Sequence, residues 1–92
     1  MVPGTICNGG KGRAGVLVGP ETMTTPVLSV LDLATVGRGT TPADALDASR
    51  RLAQHVETLG YHRLWVAEHH SMPGIASSSP PVLIAHLAAH TT

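Results

Sequence analysis

The densest group of reactive side chains in the sequence is formed by three consecutive residues, Glu68, His69 and His70. An imidazole titrates near neutral pH, so a histidine serves as general acid, general base or hydrogen-bond donor without large tuning. Because side chains alternate along a strand, an extended backbone here puts Glu68 and His70 on one face and His69 on the other. We therefore expect one histidine to face a site. Exposed or loop-capping histidines are the alternative that spacing alone leaves open.

A metal site is the less favoured use of these histidines. Adjacent histidines that point apart are awkward ligands for one ion, and the sequence has no HExxH motif or second His/Asp cluster. His86 and His90 lie four residues apart, which is also a ligand spacing, but we interpret them as the rim of a helix face. The sequence therefore predicts no metal.

Composition argues against several other classes of protein. Six Lys and Arg balance six Asp and Glu, and a net charge of zero is not typical of a nucleic-acid surface. The single cysteine, Cys7, cannot form an internal disulfide or a zinc cluster. No apolar run approaches the roughly 18–20 residues that span a bilayer, and the start lacks a signal-peptide pattern. We expect a cytoplasmic protein that binds neither nucleic acid nor membrane.

Length and composition also limit the core. Ninety-two residues make at most one small domain. Charged residues are 13% of the chain, against about 25% in an ordinary soluble domain. Hydrophobic residues reach 42%, yet there is no Phe, one Trp and one Tyr. Such a chain has apolar surface to bury but few large side chains to fill a core, so we expect it to be part of something larger.

The first 26 residues differ from the rest, because they are rich in Gly and Pro and no strand or helix is predicted within them. Residues 10–15 match the GxGxxG pattern, but this pattern binds a pyrophosphate only between a strand and a helix. We interpret residues 1–25 as a disordered leader or a wrongly assigned start, with Met23 as the true initiator. Residues 26–92 are then the domain.

The remaining chain predicts the order β-α-β-α. Residues 27–33 are almost continuously apolar and read as a buried parallel strand. Thr41-Pro42-Ala43-Asp44 has the residues of a helix start and capping box, and Gly60 is placed to end that helix. Residues 61–68 predict a second strand, and Ser79-Pro80 opens a second helix. A strand, a helix and a strand in about forty residues form a right-handed unit with parallel strands.

These elements place the reactive residues at one edge of the sheet. In parallel α/β folds, the loops that leave the carboxyl ends of the strands build the active site. Glu68, His69 and His70 fall at the end of the second strand, and Asp32 falls at the end of the first. For Asp32 the alternative is a strand-end carboxylate that caps its own loop.

Several passages resemble the bacterial luciferase-like monooxygenases. Residues 28–33 with the helix start at 41–43 are similar to the N-terminus of that family, and residues 72–78 leading into 81–87 are similar to a later passage. The most specific match is G-[YF]-x-x-x-W-x-x-E-H-H, which runs here from Gly60 to His70. The resemblance covers about residues 26–92.

The resemblance implies a TIM-like (β/α)₈ barrel, of which this chain would be the N-terminal β-α-β-α portion. It implies a flavin-dependent monooxygenase that uses reduced flavin and O₂ to oxidise a small organic substrate such as an aldehyde. The cofactor would be FMN, favoured by the EHH motif, or the deazaflavin F420. His69 would be the catalytic acid/base residue beside the flavin, and Asp32, Glu68 and His70 would belong to the flavin and substrate pocket. The family habit also implies a homodimer.

The chain departs from the family in its length. A (β/α)₈ barrel needs about 250 residues, and two of its eight units are recognisable here. The family's flavin-phosphate segments lie on later strands, so none is carried over. We expect this chain alone to be inactive. The alternative is a small non-catalytic α/β module or the product of a truncated gene.

Overall fold

A computed structural model of the chain describes residues 4–7 and 25–92. Five elements form in chain order: β1 (Gly4–Cys7), β2 (Ser29–Asp32), α1 (Pro42–Thr58), β3 (Arg63–Val66) and α2 (Pro80–Ala88). The β-α-β-α order predicted for residues 26–92 is confirmed by the last four elements. Each of the two predicted strands is shorter than expected and has four residues.

The three strands form one sheet in the order β1-β3-β2. β2 and β3 are parallel, as predicted, with Ser29 opposite Arg63 and Asp32 opposite Val66. The bond from the Ala67 N–H to the Asp32 carbonyl, at 3.2 Å, continues the hydrogen bonding beyond the ladder.

β1 pairs antiparallel with the other edge of β3, so the expectation of no strand in the first 26 residues is wrong for Gly4–Cys7. β2 and β3 lie within longer runs of mostly apolar residues, whereas Gly4–Cys7 does not, and its pairing partner lies more than fifty residues away in the chain. Residues 8–24, with the GxGxxG pattern and Met23, lie outside the described residues. The assignment of residues 1–25 as a leader stays a prediction.

Local signals define both ends of α1. The Asp44 N–H donates to the Thr41 hydroxyl at 3.2 Å, and the Thr41 N–H donates to the Asp44 carboxylate at 2.7 Å, which is the predicted capping box. Pro42 takes the first helical position, where its missing N–H is not needed. At the other end Gly60 has a φ of 76°, the left-handed conformation that glycine adopts without strain.

The core lies between the helices and one face of the β2–β3 pair. Its buried residues come from both helices and from β3: Ala53, Leu64, Val66, Leu83 and Leu87. Leu64 and Val66 alternate with Trp65, so Trp65 and its register partner Leu31 lie on the opposite face. Leu31 is 50% exposed. The helices therefore cover one face of the sheet and leave an apolar surface on the other. Within the described part of the chain, neither helix is long and apolar enough to cross a membrane.

The capping box predicts an acid dependence of stability. The hydrogen bond from the Thr41 side chain holds the pKa of Asp44 below its ordinary value of 3.8, as does the Thr41 backbone bond. Because the folded pKa is lowered, the carboxylate stabilises the helix fully above pH 3.8. This contribution is lost as the pH falls through the lowered pKa. Asp44→Asn should therefore lose less stability than the wild type between about pH 6 and about pH 2.

The measurement is the urea midpoint of the 222 nm circular dichroism signal across this pH range. A hydrogen bond from Arg50 also lowers the pKa of Asp47, so Asp44→Asn should keep part of the acid dependence. The double variant with Asp47→Asn should have the flattest profile. Identical profiles for Asp44→Asn and the wild type would contradict the assignment.

Candidate active site

The two loops that follow β2 and β3 are joined to each other at the carboxyl ends of the strands. Thr35 and Ile75 form an isolated antiparallel bridge. On one side of it the Val36 N–H donates to the Gly74 carbonyl, and on the other the Ala76 N–H donates to the Ala34 carbonyl, both at 2.9 Å. The loops therefore form a single backbone unit that carries Glu68, His69 and His70 and begins directly after Asp32, the last residue of β2.

His69 lies half-buried at the start of the second loop. Its backbone N–H donates to the Ser77 carbonyl at 2.9 Å. Its ring atom Nδ1 is buried and has no hydrogen-bond partner among the described residues. A buried polar atom without a partner is costly, so an imidazole in this position suits a group that meets a ligand or another part of a larger protein.

Glu68 and His70 form a pair beside it. Glu68 Oε1 lies 2.7 Å from His70 Nε2, with the two side chains 27% and 66% exposed. Their contact agrees with the predicted alternation, which puts these two side chains on one face. His70 is the exposed residue of the EHH sequence, whereas Glu68 and His69 are half-buried.

Asp32 caps its own loop. Its Oδ1 accepts a 3.0 Å hydrogen bond from the N–H of Ala34, a buried residue with a φ of 48°. The carboxylate thereby fixes a left-handed residue two positions after the end of the strand, a conformation that carries strain for alanine. Oδ2 is buried and without a partner in the described part of the chain. The loop-capping alternative is therefore correct for Oδ1, while Oδ2 makes no hydrogen bond with the described residues.

Ser77 is a residue of this region that the site prediction does not include. It is 1% exposed, and its hydroxyl donates to the Ala67 carbonyl at the end of β3. Its own carbonyl accepts the His69 N–H. The sequence signal is faint, since Ser77 lies within a run of small residues, Ala76-Ser77-Ser78-Ser79, that precedes α2.

An open groove of about 650 Å³ runs between the helices and adjoins this region, because Ser77 lines it together with Leu46, Arg50 and Val82. Among the residues described, no group of three or more His, Cys, Asp and Glu lies close enough to hold a metal ion. His86 and His90 have ring centroids 4.7 Å apart, but His90 Nδ1 donates to the His86 carbonyl at 2.8 Å. That nitrogen is already occupied.

A sequence profile described as luciferase-like monooxygenase matches residues 27–92, which include both loops and every predicted site residue. The chain belongs to the luciferase-like monooxygenase family. The predicted resemblance is therefore confirmed. In the same family, the N-acetyl-S-alkylcysteine monooxygenase of Bacillus subtilis is 53% identical over 64 residues, which are 70% of this chain and 19% of that protein.

Other members agree with this assignment. A luciferase-like monooxygenase of Escherichia coli is 50% identical over 68 residues, covering 74% of this chain and 20% of that protein. The crystal structure of apo-MsnO8 matches with a TM-score of 0.69 and 48% identity, over 71% of this chain and 20% of that chain. The predicted fold class, a β-α-β-α portion of the luciferase-like fold, is confirmed. The chain spans about a fifth of the length of these relatives.

Two variants of Asp32 distinguish the contribution of its capping hydrogen bond to stability from the contribution of its charge. Asp32→Ala leaves the buried N–H of Ala34 without its acceptor, so we expect a loss of about 1–3 kcal/mol in the free energy of unfolding. Asp32→Asn keeps an oxygen at the Oδ1 position and should lose clearly less. Urea unfolding with an unchanged m value measures both. An equal loss of stability in Asp32→Ala and Asp32→Asn would show that the loop is stabilised by the negative charge of Asp32 and not by the hydrogen bond that Oδ1 accepts.

Proposed function

We propose that residues 27–92 are the N-terminal part of a flavin-dependent monooxygenase. The whole protein would oxidise a small organic substrate, such as an aldehyde, with reduced flavin and O₂. His69 would be its acid/base residue. The observation that carries this proposal is the buried Nδ1 of His69, which has no partner among the described residues and lies in the loop at the carboxyl end of β3. This is the edge at which parallel α/β folds place their ligands.

The polar atoms at this edge suit a flavin and a small substrate. His69 Nδ1 and Asp32 Oδ2 are both buried and lack partners in the part of the chain described, and they follow neighbouring parallel strands. An imidazole nitrogen and a carboxylate oxygen can accept hydrogen bonds, and the imidazole can also donate one. These are the groups that orient a polar ring system or a substrate oxygen. FMN is our preferred flavin, and F420 is the alternative.

In this mechanism the protein mainly binds, orients and moves protons. Reduced flavin, when bound, would supply the electrons that reduce one atom of O₂ to water while the other atom is transferred to the substrate. His69 gives or takes a proton at Nδ1, and the bond from its N–H to the Ser77 carbonyl holds its backbone during this step. Glu68 and His70 hold each other beside His69 through their 2.7 Å contact. The proposal also places the protein in the cytoplasm as a homodimer.

The 92-residue chain alone should not bind flavin tightly. It carries two β/α units of a fold that needs about 250 residues, and in the family the phosphate-binding segments come later. We expect the purified chain to show no stoichiometric flavin absorbance after mixing with FMN and gel filtration. A stoichiometric flavin spectrum would instead show that this segment is a binding module by itself, which would favour the alternative of a separate small module.

A chimeric protein tests the catalytic role. The 64-residue segment of the Bacillus subtilis N-acetyl-S-alkylcysteine monooxygenase that matches this chain is replaced by the corresponding residues of this chain. With reduced FMN and an N-acetyl-S-alkylcysteine, the chimera should consume O₂ and release oxidised product. His69→Ala should lower kcat by about 10²–10⁴-fold, the range for removal of a general acid or base, while FMN binding is retained.

His62→Ala is the matched control, because His62 is an exposed histidine at the amino end of β3, away from the loops. It should leave kcat unchanged. A chimera that folds and binds FMN but does not turn over would overturn the proposed function of the segment. Equal kcat values for the chimera and its His69→Ala variant would show that His69 is not the acid/base residue.

A further inference from the structure

Ser77 makes two hydrogen bonds that lie on either side of Glu68. Its hydroxyl donates to the Ala67 carbonyl, and its carbonyl accepts the N–H of His69 at 2.9 Å. Ala67 is completely buried, so its carbonyl depends on a protein partner for its hydrogen bond. Ser77 thus holds the backbone at His69 and at Ala67, two residues before it.

Ser77 is itself held on both sides. Before it, the Ala76 N–H donates to the Ala34 carbonyl at 2.9 Å, and Ala34 is fixed by the Asp32 carboxylate. After it, α2 begins at Pro80, which is buried. Because the serine is anchored to the first loop and to a packed helix, its two bonds tie His69 to fixed points rather than to a free loop.

We propose that Ser77 is the positioning residue for His69. Ser77 holds the backbone from Ala67 to His69 at two atoms, the Ala67 carbonyl oxygen and the His69 amide nitrogen. These two bonds fix the direction in which the chain leaves β3, and that direction determines the position of the imidazole. An alanine at position 77 would keep the carbonyl contact but would leave the buried Ala67 carbonyl without the hydroxyl. The segment would then sample other directions, and the ring of His69 with it.

A role of Ser77 in turnover rests on the proposed function of His69. The claim that Ser77 positions the His69 ring does not rest on that function, because the placement of His69 can be measured in a chain that carries out no reaction. The test therefore uses the 92-residue chain and spectroscopic signals of His69, so that a failure of the proposed function leaves the result readable.

The experiment compares wild type, Ser77→Ala and the control Ser78→Ala, whose serine is an exposed neighbour. Long-range ¹H–¹⁵N correlations give the imidazole signals, and His69→Gln identifies that of His69. Hydrogen exchange of the His69 amide is measured against amides in α1. In Ser77→Ala the imidazole signal should move, and the His69 amide should exchange about tenfold faster relative to α1, as expected for one weakened hydrogen bond. Ser78→Ala should match the wild type.

The proposal is overturned if Ser77→Ala is folded and leaves the His69 signals and exchange at their wild-type values. It is also overturned if exchange in α1 accelerates as much as at His69, because the serine would then be an ordinary core residue. If Ser77→Ala loses its helical circular dichroism, the same measurements are made on Ser77→Cys. The thiol is slightly larger than the hydroxyl and only a weak donor, so the His69 signal should move and its amide should exchange faster, and wild-type values in this folded variant would overturn the proposal.

Discussion

The parallel pairing of β2 with β3 is the constraint on which the rest of the described structure depends. Parallel neighbours need a crossover connection, and the seventeen residues of α1 supply it. Because the two strands run in the same direction, their carboxyl ends lie at one edge, and the loops that follow them meet there. The bridge between Thr35 and Ile75 is a consequence of this meeting. In an antiparallel pair, loops leaving two successive carboxyl ends would lie at opposite edges.

The same pairing explains the distribution of apolar residues. Side chains alternate, so each strand offers one face to α1 and α2 and the other face to whatever lies beyond the sheet. Leu64 and Val66 fill the first face, while Leu31 and Trp65 occupy the second. In a (β/α)₈ barrel this second face is the packed interior. The proposal of a larger protein thus accounts for an exposed leucine on the sheet and for the low charge content of the chain.

Much of this fold could be predicted from the sequence because its signals are local. Thr41, Asp44 and Gly60 act on backbone groups within a few residues, so their types and spacing suffice to place α1. β1 could not be predicted, because Gly4–Cys7 lies in no long apolar run and its partner β3 is distant in the chain.

The candidate site was predictable in its location and less so in its contacts. The end of β3 could be inferred from topology, and the pairing of Glu68 with His70 from alternation. The roles of Asp32 and Ser77 depend on bonds to backbone groups, which every residue has and which leave no pattern in the sequence. The spacing of residues could not show whether Asp32 caps a loop or meets a ligand, because spacing does not distinguish the two oxygens of a carboxylate. In the described structure Oδ1 caps the loop and Oδ2 has no partner.

The two unpartnered atoms also bear on why this edge would be a site rather than a well-packed loop junction. A buried polar atom without a hydrogen bond costs about 1–3 kcal/mol, which is a large fraction of the 5–15 kcal/mol that stabilises a typical domain. Backbone hydrogen bonds join the two loops, and two of the three buried side-chain atoms without a partner in the described structure, His69 Nδ1 and Asp32 Oδ2, lie at this junction; the third, Ser49 Oγ, lies in α1. A rigid backbone that presents unsatisfied polar atoms is the arrangement that binding sites require, because their geometry is fixed before the ligand arrives. The rigidity contributed by Ser77 and the incomplete bonding of His69 are therefore two parts of one arrangement.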